Sequence, residues 1–151
     1  MKNIVIGADH RGYPLKEKIK QILSNTYKIT DVGTTSTESV DYPDIARDVV
    51  KKILSGECEK GVLICGSGVG ACVAANKFKG IRAAICHDLF SAHQGVEDDD
   101  MNMICLGSGV VGESLAVEII STFVNARFKS EEERYVRRLK KIKKIEDENV
   151  K

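Results

Sequence analysis

One stretch constrains this chain more than any other, Gly61–Lys77, with the sequence GVLICGSGVGACVAANK. The apolar run Val62-Leu63-Ile64 ends in Cys65, and four of the next five residues are Gly or Ser (Gly66, Ser67, Gly68, Gly70). A short buried strand that enters a glycine turn and leaves as a helix crowds backbone N–H groups against an anion. The helix dipole adds partial positive charge at the same point. A thiol at the strand's exit meets those amides, which favour the thiolate. The stretch therefore reads as a nucleophile or base beside an anion cradle. The bland alternatives are a buried structural thiol and a tight turn without a ligand.

The rest of the chain repeats the strand–helix alternation. Asn3–Ala8 reads as a buried strand, followed by the polar loop Asp9-His10-Arg11-Gly12. Pro14 opens a helix whose inner face is Leu15, Ile19, Ile22 and Leu23. Tyr27–Val32 reads as a second strand and Gly33–Tyr42 as a long loop. Asp44 is expected to cap a helix carrying Ile45, Ala46, Val49, Val50, Ile53 and Leu54, ended by Gly56. Gly80–Cys86 reads as the fourth strand and Phe90–Val96 as a short helix, with the acidic run Glu97–Asp100 as a solvated loop. Met103–Leu106 is the fifth strand, followed by a helix with Leu115, Ala116, Ile119, Ile120 and Phe123. A capping box, Ser130 with Glu133, predicts a last helix over about 130–147 with the stripe Tyr135, Val136, Leu139, Ile142 and Ile145. The tail Asn149–Lys151 is expected to fray. Five alternations in a single domain over residues 1–151 imply an α/β fold, a parallel five-stranded sheet covered on both faces. In such sheets ligands bind beyond the carboxyl ends of the strands. Here those ends carry Asp9-His10, the Gly33 loop, Cys65, His87-Asp88 and Gly107-Ser108.

Composition excludes several classes. With 23 Lys and Arg against 22 Asp and Glu, a net charge of +1 gives no global field toward nucleic acid or membrane. No apolar run approaches the roughly 18 residues of a membrane span. The chain enters a core-like strand at once, so no leader is expected and a cytoplasmic setting follows. Five cysteines without CxxC spacing read as reduced thiols, with neither disulfides nor a metal site. Cys58, Cys72, Cys86 and Cys105 read as core. The basic last helix, with Arg134, Arg137, Arg138 and four lysines, lacks interleaved aromatics and reads as a solvated face. Neither ADHRG nor GSGVGA has the spacing of a dinucleotide-binding GxGxxG.

Several stretches together resemble the ribose-5-phosphate isomerase B family, which includes the galactose-6-phosphate isomerase subunits. They are GADHRGYPLKEKI at Gly7–Ile19, DVGTTSTESVDYPDIA at Asp31–Ala46 and LICGSGVGACVAANKFKGIRAAIC at Leu63–Cys86, with Asn102, Leu106–Ser108 and Val110–Ala116. The resemblance implies a Rossmann-like three-layer α/β/α sandwich. It also implies a homodimer, which could pair further into a tetramer, with shared active sites, and cofactor- and metal-free interconversion of aldose and ketose phosphates. Cys65 matches the family's catalytic base, and Gly66, Ser67, Gly68, Val69 and Gly70 match the loop that holds the enediolate oxygens. Asp9, His10 and Tyr42 match substrate-binding positions, and Arg134 and Arg138 match paired phosphate ligands. Two guanidinium groups spaced i,i+4 on one helix face suit a dianion independently.

The chain departs from the family at three positions. Aligned on Asn102, the family's ring-opening His and substrate-binding Asn become Asp98 and Asp99, and an Arg common after Leu-Gly-Ser becomes Gly109. An Asp donates a proton only where burial or neighbours raise its pKa. A substrate that is already open-chain, such as a tetrulose phosphate, needs no ring opening. Arg11 and His93 are the candidates to stand in for the missing groups. The readings left open are ribose 5-phosphate, a tetrulose 4-phosphate or a hexose 6-phosphate as substrate, or a non-catalytic phosphate- or nucleotide-binding module.

Overall fold

The computed structural model describes residues 1–149. Five strands, β1 (Asn3–Ala8), β2 (Lys28–Asp31), β3 (Lys60–Cys65), β4 (Ala83–Ile85) and β5 (Met103–Gly107), form one parallel sheet in the order β2-β1-β3-β5-β4. Helices α1 (Tyr13–Leu23), α2 (Tyr42–Leu54), α3 (Val69–Ala75), α4 (Leu89–Asp99), α5 (Glu113–Asn125) and α6 (Glu133–Asn149) complete the fold. Strand side chains alternate between faces. Ile4, Ile6, Val62, Ile64, Ile104 and Leu106 pack on α1, α4 and α5. Val5, Leu63, Met103 and Cys105 pack on α2 and α3. Covering both faces explains why the strands are apolar throughout. The chain steps outward from β1 to β2, then returns to the other side of β1 for β3. That reversal opens a crevice at the carboxyl ends of β1 and β3.

β4 forms one edge of the sheet, and its outer side is engaged by a side chain. Asn76, at the end of α3, donates from Nδ2 to the Ala83 carbonyl (2.8 Å) and accepts the Ala83 N–H at Oδ1 (2.9 Å). At the far end of α5, Lys60 donates to the carbonyls of Phe123 (2.6 Å) and Ala126 (2.8 Å), satisfying acceptors that a helix end leaves open.

Several local expectations are corrected. Asp41, not Asp44, stands at the N-cap position of α2, without a side-chain capping bond, because Tyr42 and Pro43 already belong to its first turn, where proline's missing N–H costs nothing. α4 runs to Asp99, so Glu97, Asp98 and Asp99 form its last turn instead of a loop. Acidic residues oppose the dipole there, and Lys129 offsets this by pairing with Glu97 at 3.3 Å. The capping box does not form: α6 begins at Glu133, which pairs with Arg137 at 2.5 Å. β4 is shorter than Gly80–Cys86 because the Arg82 N–H donates to Asn102 Oδ1 (2.8 Å) instead of a strand. Ile22, Leu54 and Leu115 are exposed, each at the rim of its helix's buried arc. On α6 only Leu139 is buried; Ile142 and Ile145 are exposed and line a groove with Ile81, Ala84 and Met101. Asn149 ends α6, while the expected fraying of 150–151 lies outside the described residues. No helix among the described residues is long and apolar enough to cross a membrane.

Candidate active site

β3 delivers Cys65 to the floor of the crevice, where the residue is 5% exposed. The chain then turns through Gly68, whose φ of +81° disfavours any residue with a Cβ. That turn aims the Gly68 N–H at the Cys65 sulfur, donating over 3.1 Å. The Ser67 hydroxyl accepts the Val69 N–H at 3.2 Å, at the start of α3.

β1 delivers Asp9 and His10. Asp9 is buried, and its Oδ1 accepts the N–H groups of Arg11 and Gly12, each at 3.0 Å, which shapes the entry to α1. His10 accepts the Val40 N–H at Nδ1 (3.1 Å), so the neutral ring carries its proton on Nε2. Tyr42 lies over Gly70; a Cβ there would sit 2.5 Å from the tyrosine Cζ. The Arg11 guanidinium lies over Gly66, where a Cβ would come within 2.6 Å of Nη1. Asp9, His10, Arg11, Tyr42, Cys65 and the Gly66–Gly70 turn border a cleft of about 820 Å³. The signal for Arg11 in the sequence is a permanent cation in the loop that follows β1.

Asp98, Asp99, Arg134 and Arg138 do not reach this cleft. α4 runs back from the carboxyl ends of the strands, and its 11 residues carry Asp98 and Asp99 about 14–15 Å toward their amino-terminal ends. There they meet α6. Burial and the neighbouring Asp98 push the Asp99 carboxyl up, against the pull of the Arg138 guanidinium. Asp98 accepts from Gln94 Nε2 at 2.7 Å, and Arg134 lies over the Tyr135 ring. His93 pairs with Glu97 along α4, also away from the cleft. His87 Nε2 accepts the Gly107 N–H at 2.9 Å and holds the end of β5 beside Cys65.

None of the other thiols borders the cleft. A hydrogen bond with the Cys105 thiol, together with the Ile85 N–H and Asn76, draws Cys72 down to about 7 despite its partial burial. Burial, with Asp88 and Cys72 nearby, pushes Cys86 up to about 11. Cys105 is raised as partner of Cys72 and by burial. No cluster of three or more His, Cys, Asp or Glu among the described residues is placed to hold a metal ion.

A family profile described as Ribose/Galactose Isomerase matches residues 4–142. The chain belongs to that family. It is accordingly an isomerase, with the parallel α/β fold of the family's solved members. Ribose-5-phosphate isomerase B of Escherichia coli is 40% identical over 147 residues, covering 97% of both chains. D-erythrulose-4-phosphate isomerase of Pectobacterium atrosepticum is 40% identical over 130 residues, 85% of this chain and 86% of that one. Among solved structures, ribose-5-phosphate isomerase B of Clostridium thermocellum superposes with a TM-score of 0.92 at 43% identity, covering 98% of this chain and 99% of that one.

Proposed function

We propose that this isomerase interconverts an aldose phosphate and its ketose phosphate, with ribose 5-phosphate and ribulose 5-phosphate as the leading pair. The observation that carries the reading is the buried Cys65 thiol on the cleft floor, with the Gly68 N–H directed at its sulfur. In the aldose-to-ketose direction the thiolate takes the proton from C2, leaving a cis-enediolate, and returns a proton to C1. The Gly66–Gly70 loop holds the enediolate oxygens through the amides not taken by Cys65 Sγ and Ser67 Oγ, a preorganised-donor role. Asp9, His10 and Tyr42 line the sugar's path.

Phosphate binding by Arg134 and Arg138, and hydroxyl or ring contacts by Asp98 and Asp99, require a second copy, since none of the four borders the Cys65 cleft of its own chain. A symmetric homodimer would join the half-sites. An apolar rim at the cleft end of the molecule, Val69, Val73, Phe90 and Val110, each more than half exposed, supports that assembly. A tetrulose 4-phosphate is the second reading. Asp98 has an oxygen engaged with Gln94, and an open-chain substrate would not ask it to open a ring.

Turnover of four-, five- and six-carbon sugar phosphates, with deuterium uptake from solvent, tests the activity and ranks the substrates. Cys65→Ala is expected to abolish turnover while keeping the fold; retained isomerase activity would refute the mechanism. Coexpressed Cys65→Ala and Arg138→Ala chains are expected to recover up to about a quarter of wild-type activity through mixed dimers. No recovery would refute the shared site.

A further inference from the structure

We infer that Arg11 is a phosphate-binding residue of the Cys65 cleft, its guanidinium seated over Gly66 to take the phosphate monoester at the far end of the substrate. This rests on the proposed reading of a phosphorylated substrate. Charge comes first. Around the cleft stand Asp9, Asp41 and Asp44, with His10 as a titratable ring, and Arg11 is the one permanent cation among the lining residues. Among the described residues its guanidinium has no carboxylate within salt-bridge distance and no hydrogen-bond acceptor. An arginine left unpaired beside a nucleophile is available to a ligand.

The seat is fixed from several sides. Asp9 Oδ1 accepts the Arg11 N–H (3.0 Å), and the Ser108 hydroxyl donates to the Arg11 carbonyl (2.9 Å). The next residue, Gly12, is pressed against the Ile64 backbone so closely that no Cβ fits. The guanidinium itself rests where a side chain on Gly66 would stand; the Cβ of any other residue would fall 2.7 Å from Nε. Gly109, which donates to the Gly66 carbonyl at 3.0 Å, brings no side chain to that glycine. The cation of this corner therefore comes from β1's loop.

Depth assigns the ligand group. Cys65 is buried on the floor, and Arg11 is exposed at the mouth. A sugar phosphate with C1 and C2 against the sulfur directs its phosphate toward the mouth. A planar fork of N–H donors suits two phosphate oxygens at once.

Arg11→Met and Arg11→Lys in the full chain test this, with KM and kcat on the preferred substrate and titration of inorganic phosphate by calorimetry. Arg11→Met is expected to raise KM and to weaken phosphate binding about 10- to 100-fold, the loss of a charged hydrogen-bond pair, with a far smaller change in kcat. Arg11→Lys is expected to recover part of both. Unchanged KM and phosphate affinity in Arg11→Met would overturn the assignment, as would a fall in kcat at constant KM, which would put Arg11 at the reacting carbons. If the wild-type protein turns over no sugar phosphate, the isomerase reading fails by itself. The phosphate titration then still decides Arg11, since equal affinity in wild type and Arg11→Met would overturn it.

Discussion

Replacing Lys16 with Met tests how the fold holds the wall of the cleft. Lys16 is wholly buried on the inner side of α1. Its ammonium donates to Asp31 Oδ1 at 2.6 Å and to the Thr34 carbonyl at 2.7 Å, tying α1 to β2 and to the loop beyond it. Removing one partner of a buried pair costs about 3–5 kcal/mol when the other charge is orphaned. Here it is not orphaned. Asp31 keeps Lys20 at 2.5 Å and the Gly33 N–H at 3.0 Å, and its side chain is 22% exposed. The Thr34 carbonyl does lose a partner, which costs about 1–3 kcal/mol. Methionine fills similar space, so the net loss is about 2–3 kcal/mol. For a chain of this size that lowers Tm by about 4–12 °C. Urea titrations of wild type, Lys16→Met, Asp31→Asn and the double variant measure it, with an expected coupling of at least about 1 kcal/mol. A loss under about 1 kcal/mol, or additive single effects, would refute the reasoning.

Lys16 also gives the pH dependence a direction. Burial pushes the Asp31 carboxyl up, but Lys16, Lys20 and the Gly33 N–H outweigh it and hold the group below the usual carboxylate range. A depressed folded value means that its contribution is full above about pH 5 and is lost as pH falls through the ordinary value near 4 and below. Wild type is therefore expected to lose stability faster than Asp31→Asn below pH 5, as read by urea midpoints. The same loop carries the Val40 N–H that His10 accepts, so Lys16→Met is also expected to raise KM.

Gly70→Ala is expected to keep the fold, because the half-exposed Tyr42 ring can swing away, but to lower kcat/KM by about 10-fold or more as that wall of the cleft moves. Wild-type kinetics would show that Tyr42 does not border the substrate. Cys72, drawn down to about 7, is expected to alkylate with a midpoint near that pH, its thiolate fraction rising with pH. Iodoacetamide labelling in the Cys65→Ala background measures it, with Cys72→Ser as control; no labelling of Cys72 until pH 9 would contradict the assignment.

What the sequence disclosed follows the range of the interactions. The Gly61–Lys77 turn is local: strand run, glycines and small-residue helix are adjacent in the chain, and Cys65 lands at the carboxyl end of β3 as the pattern implies. Asp9, His10 and Tyr42 join it because a parallel sheet gathers its strand ends. The last turn of α4 was hidden because Glu97, Asp98 and Asp99 oppose the helix dipole. The compensating Lys129 arrives from a segment thirty residues on. Arg11 was visible as a cation but not as a cleft residue, since its seat depends on the bare Cα of Gly66. Ile142 and Ile145 followed a helical period correctly; periodicity marks an apolar face without saying what covers it.

Asn76 has a consequence for other copies of the chain. An open strand edge is a template on which a second strand can add, and β4 limits that risk by being only three residues long. The Asn76 amide occupies both backbone groups of Ala83 and leaves an incoming strand without the first rung of a ladder. One side chain thus takes the outward-facing donor and acceptor of that edge residue. Asn76 also ends α3, the helix that begins beside the Cys65 turn, so one side chain links the edge of the sheet to the helix that leaves the cleft.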